Sequence, residues 1–502
     1  MISMGKKYLI MAAGIFVLAL IRVPSLYAQD AGDVLRYDLQ YPGGDPVSLV
    51  MPAVSDATGF GAYQQNPASM AFFKQSFLSL GISDRYVNEK GTYLGNSSNY
   101  NNNQFNVADG GFLYKLPTRQ GKFVVGGGYS QSHDYNRALS GYGRNNLTTI
   151  TDSYAQLGRN NPLNQAAYNA YAINDVTDNN GNYIRSESIF RLYLPQGESY
   201  PGINQRFNLT ERGTLGEFSA FFATEFAKNL FIGASIGVIS GNYSYKRHFL
   251  EADKQGNYNG KVIDSNNNGT YNTDINRILS RDTIHDSFTA FSARLGMVYQ
   301  VSPHFNVGAA YQFRNVLNIH EKYGTHIKTT MDNGAVFTGK DLGKYNYKVA
   351  RPARLNIGVT AKDLAGFTIS ASAQHVAYSN GHIKFNELKN KSAQDSINSV
   401  VASNLTDVYN LRLGVEYKVS NNFTPRIGYA YYPSPTKNVN ADRNFYSAGF
   451  TARLSENTVF NLGVQLGTWN DQDQLYSTNT ATEVAYEKVK HWNIMAGFDF
   501  YF

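Results

Sequence analysis

The chain has 502 residues, with 45 Gly, 37 Tyr, 30 Phe, no Cys and a formal net charge of +7. The lack of Cys excludes a disulfide framework, and a charge this mild gives no reason to expect nucleic acid binding. One large aromatic-rich β structure fits this composition better than several soluble domains.

Residues 1–28 have the features of a cleavable secretory signal peptide. Lys6 and Lys7 precede an apolar run over 8–20, and the small residue Ala28 stands before a polar boundary. A basic start, a short apolar core and a small residue at the boundary are typical of an export signal. No long apolar helix follows, which argues against the inner membrane.

The next segment, 29–75, is too long to be a mere leader. Its apolar residues include Leu49, Met51 and Phe60, which need shelter from water. Because an even number of strands would leave both ends of a barrel in the periplasm, the segment is expected at the periplasmic mouth. We predict that it packs inside the barrel as a plug.

Alternating residues dominate the remainder, 76–502, in about fourteen segments. In one of them Phe305, Val307 and Ala309 lie on one face and polar or small residues on the other. One face is suited to lipid and the other to a wet lumen. The sequence therefore predicts an all-β transmembrane antiparallel β-barrel in the bacterial outer membrane.

Short and long links alternate between these segments. Tight turns are predicted at Lys228-Asn229, Ser302-Pro303, Leu364-Ala365, Ser420-Asn421 and Ser455-Glu456. Long loops are predicted at about 134–212, 249–284, 320–344 and 382–404. Short turns of such barrels face the periplasm and long loops face outside. Helical character is expected within the long links at 152–173 and 393–404.

The last strand alternates up to the final residue, Phe502. Trp492, Ile494, Phe498 and Phe500 share its face. A terminal aromatic on such a strand is typical of an outer-membrane protein that carries its own assembly signal, so the barrel-assembly machinery is an expected partner.

A motif stands directly before the first strand: Asp56-Ala57, then Asn66, Pro67 and Ala68, then Met70-Ala71-Phe72. Pro67 fixes its own φ and restricts Asn66, whose amide can cap nearby backbone, so the tripeptide makes a rigid turn. In this position the motif resembles the hatch of the FadL/TodX family, outer-membrane transporters of long-chain fatty acids and other hydrophobic compounds.

The resemblance implies a fourteen-stranded barrel plugged by an N-terminal hatch. It also implies passive uptake from an extracellular groove into a lumen pocket, with lateral exit at an inward kink of strand three. Partners would be hydrophobic small molecules and outer-membrane lipid. A monomer without cofactor or enzymatic activity is expected. The alternatives are a general porin, which would lack the plug, and a barrel component of a protein-secretion machine.

The third segment, 122–133, contains Gly126, Gly127 and Gly128. Consecutive glycines favour a bulge or a kink, so these residues are the candidate lateral gate. The alternative is that they only make room for the plug.

Several arginines fall on the predicted lumen-facing positions, and guanidinium groups suit a ligand carboxylate. They are Arg294, Arg314, Arg354, Arg412, Arg426 and Arg453. An alternative role is an ion-pair network with Glu217, Glu225, Glu416 and Asp499.

Asp264, Asn266 and Asn268 imitate the start of a calcium loop, but Ile275 occupies the position where a bidentate Glu is needed. A turn-rich extracellular loop is the simpler interpretation. No nucleophile with a positioned base is recognisable, so catalysis is not expected.

Overall fold

A computed structural model describes residues 31–192, 194, 199–266, 268–386, 391–437 and 439–502. The predicted signal peptide, 1–28, lies outside the described residues.

The described strands are numbered in chain order. They are β1 (Phe77–Tyr93), β2 (Asn96–Leu116), β3 (Phe123–Asp134), β4 (Arg137–Asn145), β5 (Ile173–Thr177), β6 (Tyr183–Ser188), β7 (Ile203–Ala227), β8 (Leu230–Ala252), β9 (Ile275–Ser302), β10 (Phe305–Gln312), β11 (Asn315–Met331), β12 (Val336–Arg351), β13 (Arg354–Leu364), β14 (Phe367–Val376), β15 (His382–Phe385), β16 (Val408–Tyr417), β17 (Phe423–Tyr432), β18 (Arg443–Arg453), β19 (Thr458–Ser477) and β20 (Thr482–Tyr501).

The described helices are short. They are α1 (Ala31–Asp38), α2 (Ala62–Gln65), α3 (Ile150–Gln156), α4 (Pro162–Asn169), α5 (Ile189–Leu192) and α6 (Lys391–Asn404), with 3-10 turns at Pro67–Phe72 and Tyr378–Asn380. None of the described helices combines the length and hydropathy needed to cross a membrane.

The main sheet closes on itself as an antiparallel barrel. β1 pairs with β2 on one side and with β20 on the other, so the wall has no free edge there. Four wall strands are each built from two pieces: β3 with β4, β10 with β11, β12 with β13, and β14 with β15. Counted this way over the described ranges, the wall has 14 strands, which confirms the predicted fold. β5 and β6 form a separate two-stranded sheet.

Side chains alternate between lipid and lumen as predicted. On the last strand Trp492 and Ile494 are 39% and 44% exposed, whereas Met495 is fully buried. On β1 the outward side chains include Leu78 and Leu80 near the start of the strand and Lys90 near its end. The apolar outer band therefore covers only part of the wall, and the strands continue beyond it into water.

The predicted tight turns all lie at the end of the barrel where β1 begins and β20 ends, here called the turn end. The long links lie at the opposite, loop end. Helices α3 and α4 occupy most of the predicted helical stretch 152–173, and α6 covers the one predicted at 393–404.

Two of the expected loops are shorter than predicted. The range 320–344 lies almost entirely in the paired hairpin of β11 and β12, and β8 and β9 leave only 253–274 between them. Beyond the lipid band both faces of a strand meet water. The backbone ladder there continues without the apolar alternation on which the prediction rested.

The long link between β4 and β7 forms a packed cover over the loop end. Its apolar residues Ile150 and Phe190 join the same buried cluster as Phe207 of β7 and Phe249 of β8. The cover, defined as the described residues of 146–202, therefore has a core continuous with the top of the wall.

Candidate functional site: the plugged lumen

The plug, defined as residues 31–75, lies inside the barrel and touches most of the wall. A Cβ added to any of a set of wall glycines would come within 3.0 Å of a plug atom. Among the described residues this glycine belt has one member on each of nine wall strands: Gly111, Gly128, Gly233, Gly296, Gly308, Gly358, Gly414, Gly428 and Gly463. The missing side chains allow the plug backbone to lie directly on the wall.

The motif that precedes the first strand anchors the plug. The buried Asn66 side chain accepts a hydrogen bond from the backbone N–H of Ala68 (2.9 Å) and donates to the carbonyls of Val54 (2.6 Å) and Met297 (3.0 Å). Pro67 begins the 3-10 turn that follows. The tripeptide therefore both turns the chain and ties it to β9.

Asp45 organises the plug from within, and sequence reasoning missed it. Its buried carboxylate accepts hydrogen bonds from the backbone N–H groups of Val47 (2.7 Å), Ser48 (2.9 Å) and Gly61 (2.8 Å). Asp before Pro in a Gly-rich stretch is a turn signal that could have indicated this role.

Two of the candidate arginines sit in buried ion pairs. Arg294 donates to both carboxylate oxygens of Glu217, at 2.6 and 2.7 Å. Arg354 donates to Asp38 at the end of α1 (2.7 Å), as does Arg351 (3.0 Å). These contacts favour the ion-pair alternative for both residues.

The other candidates lie apart from one another. Arg412 donates to the plug carbonyl of Ser48, and Arg426 lies 3.6 Å from Glu416. Arg314 is exposed in the break between β10 and β11, and Arg453 is exposed at a tight turn. The structure does not bring the six arginines together around one ligand position.

Strand three breaks between β3 and β4, at Tyr135-Asn136. β3 pairs with β2 only between the turn end and the cross-strand pair of Ser130 with Asp109. In the described ranges β4 pairs with β7 but forms no ladder with β2. Instead β4 lies against the inner face of the wall, where Ser98 of β2 donates to the carbonyl of Ser140 (2.7 Å). The backbone hydrogen-bond ladder of the wall is therefore interrupted between β2 and β4.

The candidate gate glycines lie below this break. Gly126, Gly127 and Gly128 all pair with β2 and with β7. A Cβ at Gly126 would meet Phe221 at 2.4 Å, and one at Gly128 would meet the plug residue Phe60 at 2.9 Å. Gly126 and Gly128 therefore make room for aromatic rings of the wall and the plug, whereas a Cβ at Gly127 would meet the backbone carbonyl of Ser219 at 2.9 Å.

Charged groups hold the inward half of strand three. Asp134 pairs with Arg85 of β1 (3.1 Å) and accepts from the N–H of Asn136 (2.9 Å). These contacts fix the direction in which the chain leaves β3.

Arg137 then lies in a cluster of carboxylates. Glu211 is 2.7 Å away, Asp473 is 3.1 Å away, and Glu487 is in contact. Because these carboxylates belong to β7, β19 and β20, Arg137 links β4 to three other strands.

Helix α1 lies in a chamber of the lumen that is lined mainly by apolar side chains, with the carboxylate of Asp286 accepting from the Tyr37 hydroxyl. Val34 and Tyr37 are fully buried in one cluster with Phe288 and Tyr347 of the wall. The ring centroid of Tyr37 lies 5.3 Å from that of Phe288. The plug therefore begins deep in the lumen, and the expectation that the segment lies at one mouth holds only for its later part.

Two cavities lie beside the plug in the described part of the barrel, with volumes of about 70 and 180 Å³. The smaller is lined by Gln64, Gln374 and Arg412 among others. The larger is lined by Asp56 and Glu416 among others, close to the turn end. Their linings are mainly hydrogen-bonding groups.

Asp56, from the motif before the first strand, is a partly buried charge of the plug. Burial raises the pKa of its carboxyl, opposed by the ammonium of Lys362, which lies 3.5 Å away. The backbone N–H of Ala57 also donates to this carboxylate (3.0 Å). The Asp56-Ala57 pair therefore ties the plug to β13 near the turn end.

The calcium candidate is a hydrogen-bonded turn in the link between β8 and β9. Asp264 accepts from the N–H groups of Asn266 (3.1 Å) and Gly269 (2.6 Å), and Asn268 accepts from Thr270 (2.9 Å). Within the described ranges, no group of three or more His, Asp or Glu residues is arranged to hold a metal ion.

A family model described as outer membrane protein transport protein (OMPP1/FadL/TodX) matches residues 218–494. The solved toluene transporter TodX of P. putida covers 92% of this chain and 99% of its own length at 15% identity, with a TM-score of 0.53. A FadL homologue of Pseudomonas aeruginosa covers 92% of this chain and 99% of its own length at 13% identity, with a TM-score of 0.50. These structural similarities concern the fold. A search among curated proteins finds no match.

Proposed function

The chain belongs to the OMPP1/FadL/TodX family of outer membrane transport proteins, and we propose that it takes up small hydrophobic molecules passively and releases them sideways into the membrane between β2 and β4. Candidate cargo includes monoaromatic hydrocarbons, in analogy to the toluene transporter TodX, and long-chain fatty acids, as the sequence resemblance implies. The plug argues against a general porin.

The observation that carries this proposal is the missing ladder between the described strands β2 and β4. The part of β2 without a partner ladder on this side begins beyond Asp109, where the outward residues Val107 and Phe105 are 57% and 65% exposed. These apolar side chains belong to the lipid-facing surface. A molecule that leaves through this opening would therefore enter hydrocarbon without crossing water.

Aromatic side chains connect the chamber around α1 to the break of strand three. Tyr135, at the break of strand three, packs edge-on against Tyr37 of α1 and Tyr243 of β8, with ring centroids 6.2 and 5.3 Å apart. Because α1 fills the chamber, cargo would replace Val34 and Tyr37 there before reaching the opening. The arginines of the buried ion pairs are not needed to bind a hydrocarbon.

The turn end would face the periplasm, and the cover would face outside and carry the entry groove. The barrel would act as a monomer. Its assembly signal would be the last strand, whose final residue Phe502 donates its backbone N–H to Ser76 (3.1 Å).

The test is deletion of Tyr135 and Asn136, which would straighten strand three. Removal of two residues preserves the in-out alternation, whereas removal of one would reverse it. Cells without other uptake routes are assayed for radiolabelled toluene and oleate. We expect the deletion to reduce uptake to the level of cells without the protein.

The control deletes Asn179 and Asn180, two residues at an exposed turn of the cover, and should leave uptake unchanged. Heat-modifiable migration on gels verifies that each variant forms a barrel. Wild-type uptake by the Tyr135-Asn136 deletion variant would refute lateral exit, whereas no uptake by the wild-type protein would refute the proposed cargo itself.

A further inference from the structure

The two polar cavities lie on opposite sides of one plug segment and nearly meet along β14. Ser372 lines the cavity on the loop side, and Ser370 lines the cavity on the turn side. Both residues point into the lumen from the same strand, and successive inward residues are about 7 Å apart. The inner face of β14 is polar throughout this stretch, with Thr368 below and Gln374 above.

Arg412 and the plug residues it holds separate the two cavities. Arg412 of β16 is the direct cross-strand neighbour of Ser372 on β14, and it donates to the carbonyl of Ser48 at 2.5 Å. The plug then rests on Gly414, where an added Cβ would lie 2.6 Å from the sulfur of Met51. In the described part of the chain the Arg412 guanidinium donates to plug backbone carbonyls instead of pairing with an acid.

The loop-side cavity has polar groups suited to water. Gln312, Gln374 and Asn356 line it with side-chain amides, which can donate hydrogen bonds to water and accept them from it. A volume of about 70 Å³ holds several water molecules.

Fixed charges on the turn side are mixed in sign. The guanidinium of Arg426 lies 3.6 Å from Glu416, and Asp56 lies 3.5 Å from Lys362. Because these charges are paired, the cavity has little preference for either sign of ion. Uncharged hydrogen-bonding molecules fit both cavities better than ions or hydrocarbons.

We propose that the two cavities form a second path through the barrel, closed by Arg412, for water and small uncharged polar solutes. The path runs between the plug and β14 with β16, and it is separate from the lateral route for hydrophobic cargo. When the Arg412 contact to Ser48 is broken, the cavities join and the solute passes along the barrel axis.

The test is the swelling rate of proteoliposomes in glycerol, with Arg412→Ser as the variant. We expect the variant to admit glycerol several-fold faster than the wild-type protein. Arg453→Ser, an exposed position at a tight turn, is the matched control and should match the wild-type rate. An Arg412→Ser barrel that folds and swells at the wild-type rate would overturn the proposal.

A tethered plug distinguishes an opened path from a displaced plug. The side-chain oxygens of Ser55 and Thr360 lie 2.7 Å apart, and the chain has no Cys of its own, so Ser55→Cys with Thr360→Cys can link plug and wall. Fast swelling of the oxidised, tethered Arg412→Ser barrel supports the proposal. Fast swelling only after reduction shows plug release and refutes it.

A blocking substitution tests the route itself. Thr368→Phe, at a position that lines the turn-side cavity, fills this cavity in the tethered Arg412→Ser barrel and should restore the wild-type rate. If swelling remains fast, the solute passes elsewhere and the proposed path is wrong.

Discussion

Replacing Arg294 by Met is expected to destabilise the barrel without removing a ligand contact. The side chains of Arg294 and Glu217 are 4% and 2% exposed, and Glu217 also accepts hydrogen bonds from Ser292 (2.5 Å) and Ser219 (2.6 Å). Without Arg294 the carboxylate stays buried with no counter-charge. Breaking such a pair typically costs about 3–5 kcal/mol.

The double variant Arg294→Met with Glu217→Gln removes both charges and retains an acceptor for Ser219 and Ser292. We expect it to recover most of the loss and to lie within about 1 kcal/mol of the wild-type free energy of unfolding. Stability is measured by urea titration of the reconstituted barrel, followed by the fluorescence of its two Trp.

Arg453→Met serves as the control, because this arginine is exposed at the turn end and substitutions at such positions change stability by about 0.5 kcal/mol or less. A single variant Arg294→Met that unfolds at the wild-type urea concentration but no longer takes up cargo would refute the reasoning. It would identify Arg294 as a ligand residue.

Two further predictions concern the plug. Gly296→Val should speed proteolysis within the plug, because an added Cβ would lie 1.8 Å from Oδ1 of Asn66. The control Gly110→Val should not, because a Cβ there meets only a wall leucine, at 3.6 Å. Burial raises the pKa of Asp56 above its ordinary 3.8, so the folded barrel binds this proton more tightly than the unfolded chain does. Proton binding at Asp56 therefore stabilises the folded barrel fully below pH 3.8, and this contribution to the free energy of unfolding is lost as pH rises through the raised pKa. In urea titrations at several pH values, Asp56→Asn should reduce the fall of the free energy of unfolding with rising pH, by up to about 1.4 kcal/mol per pH unit. An unchanged pH dependence in this variant would contradict the role of Asp56.

The alternation of single strands could be predicted because it is a local property. Each wall strand has its own lipid face, as the exposed Trp492 and the buried Met495 of β20 illustrate. Tight turns were predictable for the same reason, since short links leave few geometries. The plug could be predicted from its apolar residues, which have no other shelter.

The partners of the arginines could not be predicted in the same way. Alternation assigns a side chain to the lumen, but not to a height or to a position around the barrel. Arg354 pairs with Asp38, which lies 316 positions earlier in the chain. Only the register of the closed wall and the path of the plug bring these two residues together.

The break of strand three was also beyond local reasoning. Glycines at 126–128 suggested a kink, yet they remain paired on both sides, and the pairing with β2 ends after Ser130. The ion pair of Asp134 with Arg85 and the cluster around Arg137 hold β4 inward. Their effect depends on contacts between distant strands.

The glycine belt has a consequence for the order of assembly. Its members run from Gly111 on β2 to Gly463 on β19, so the seat of the plug is spread over strands made early and late in synthesis. The plug precedes all of them in the chain, and it cannot reach its full seat until the last strands are in place. Insertion of the plug and closure of β20 onto β1 are therefore coupled events, dominated by contacts of high sequence separation, which form slowly.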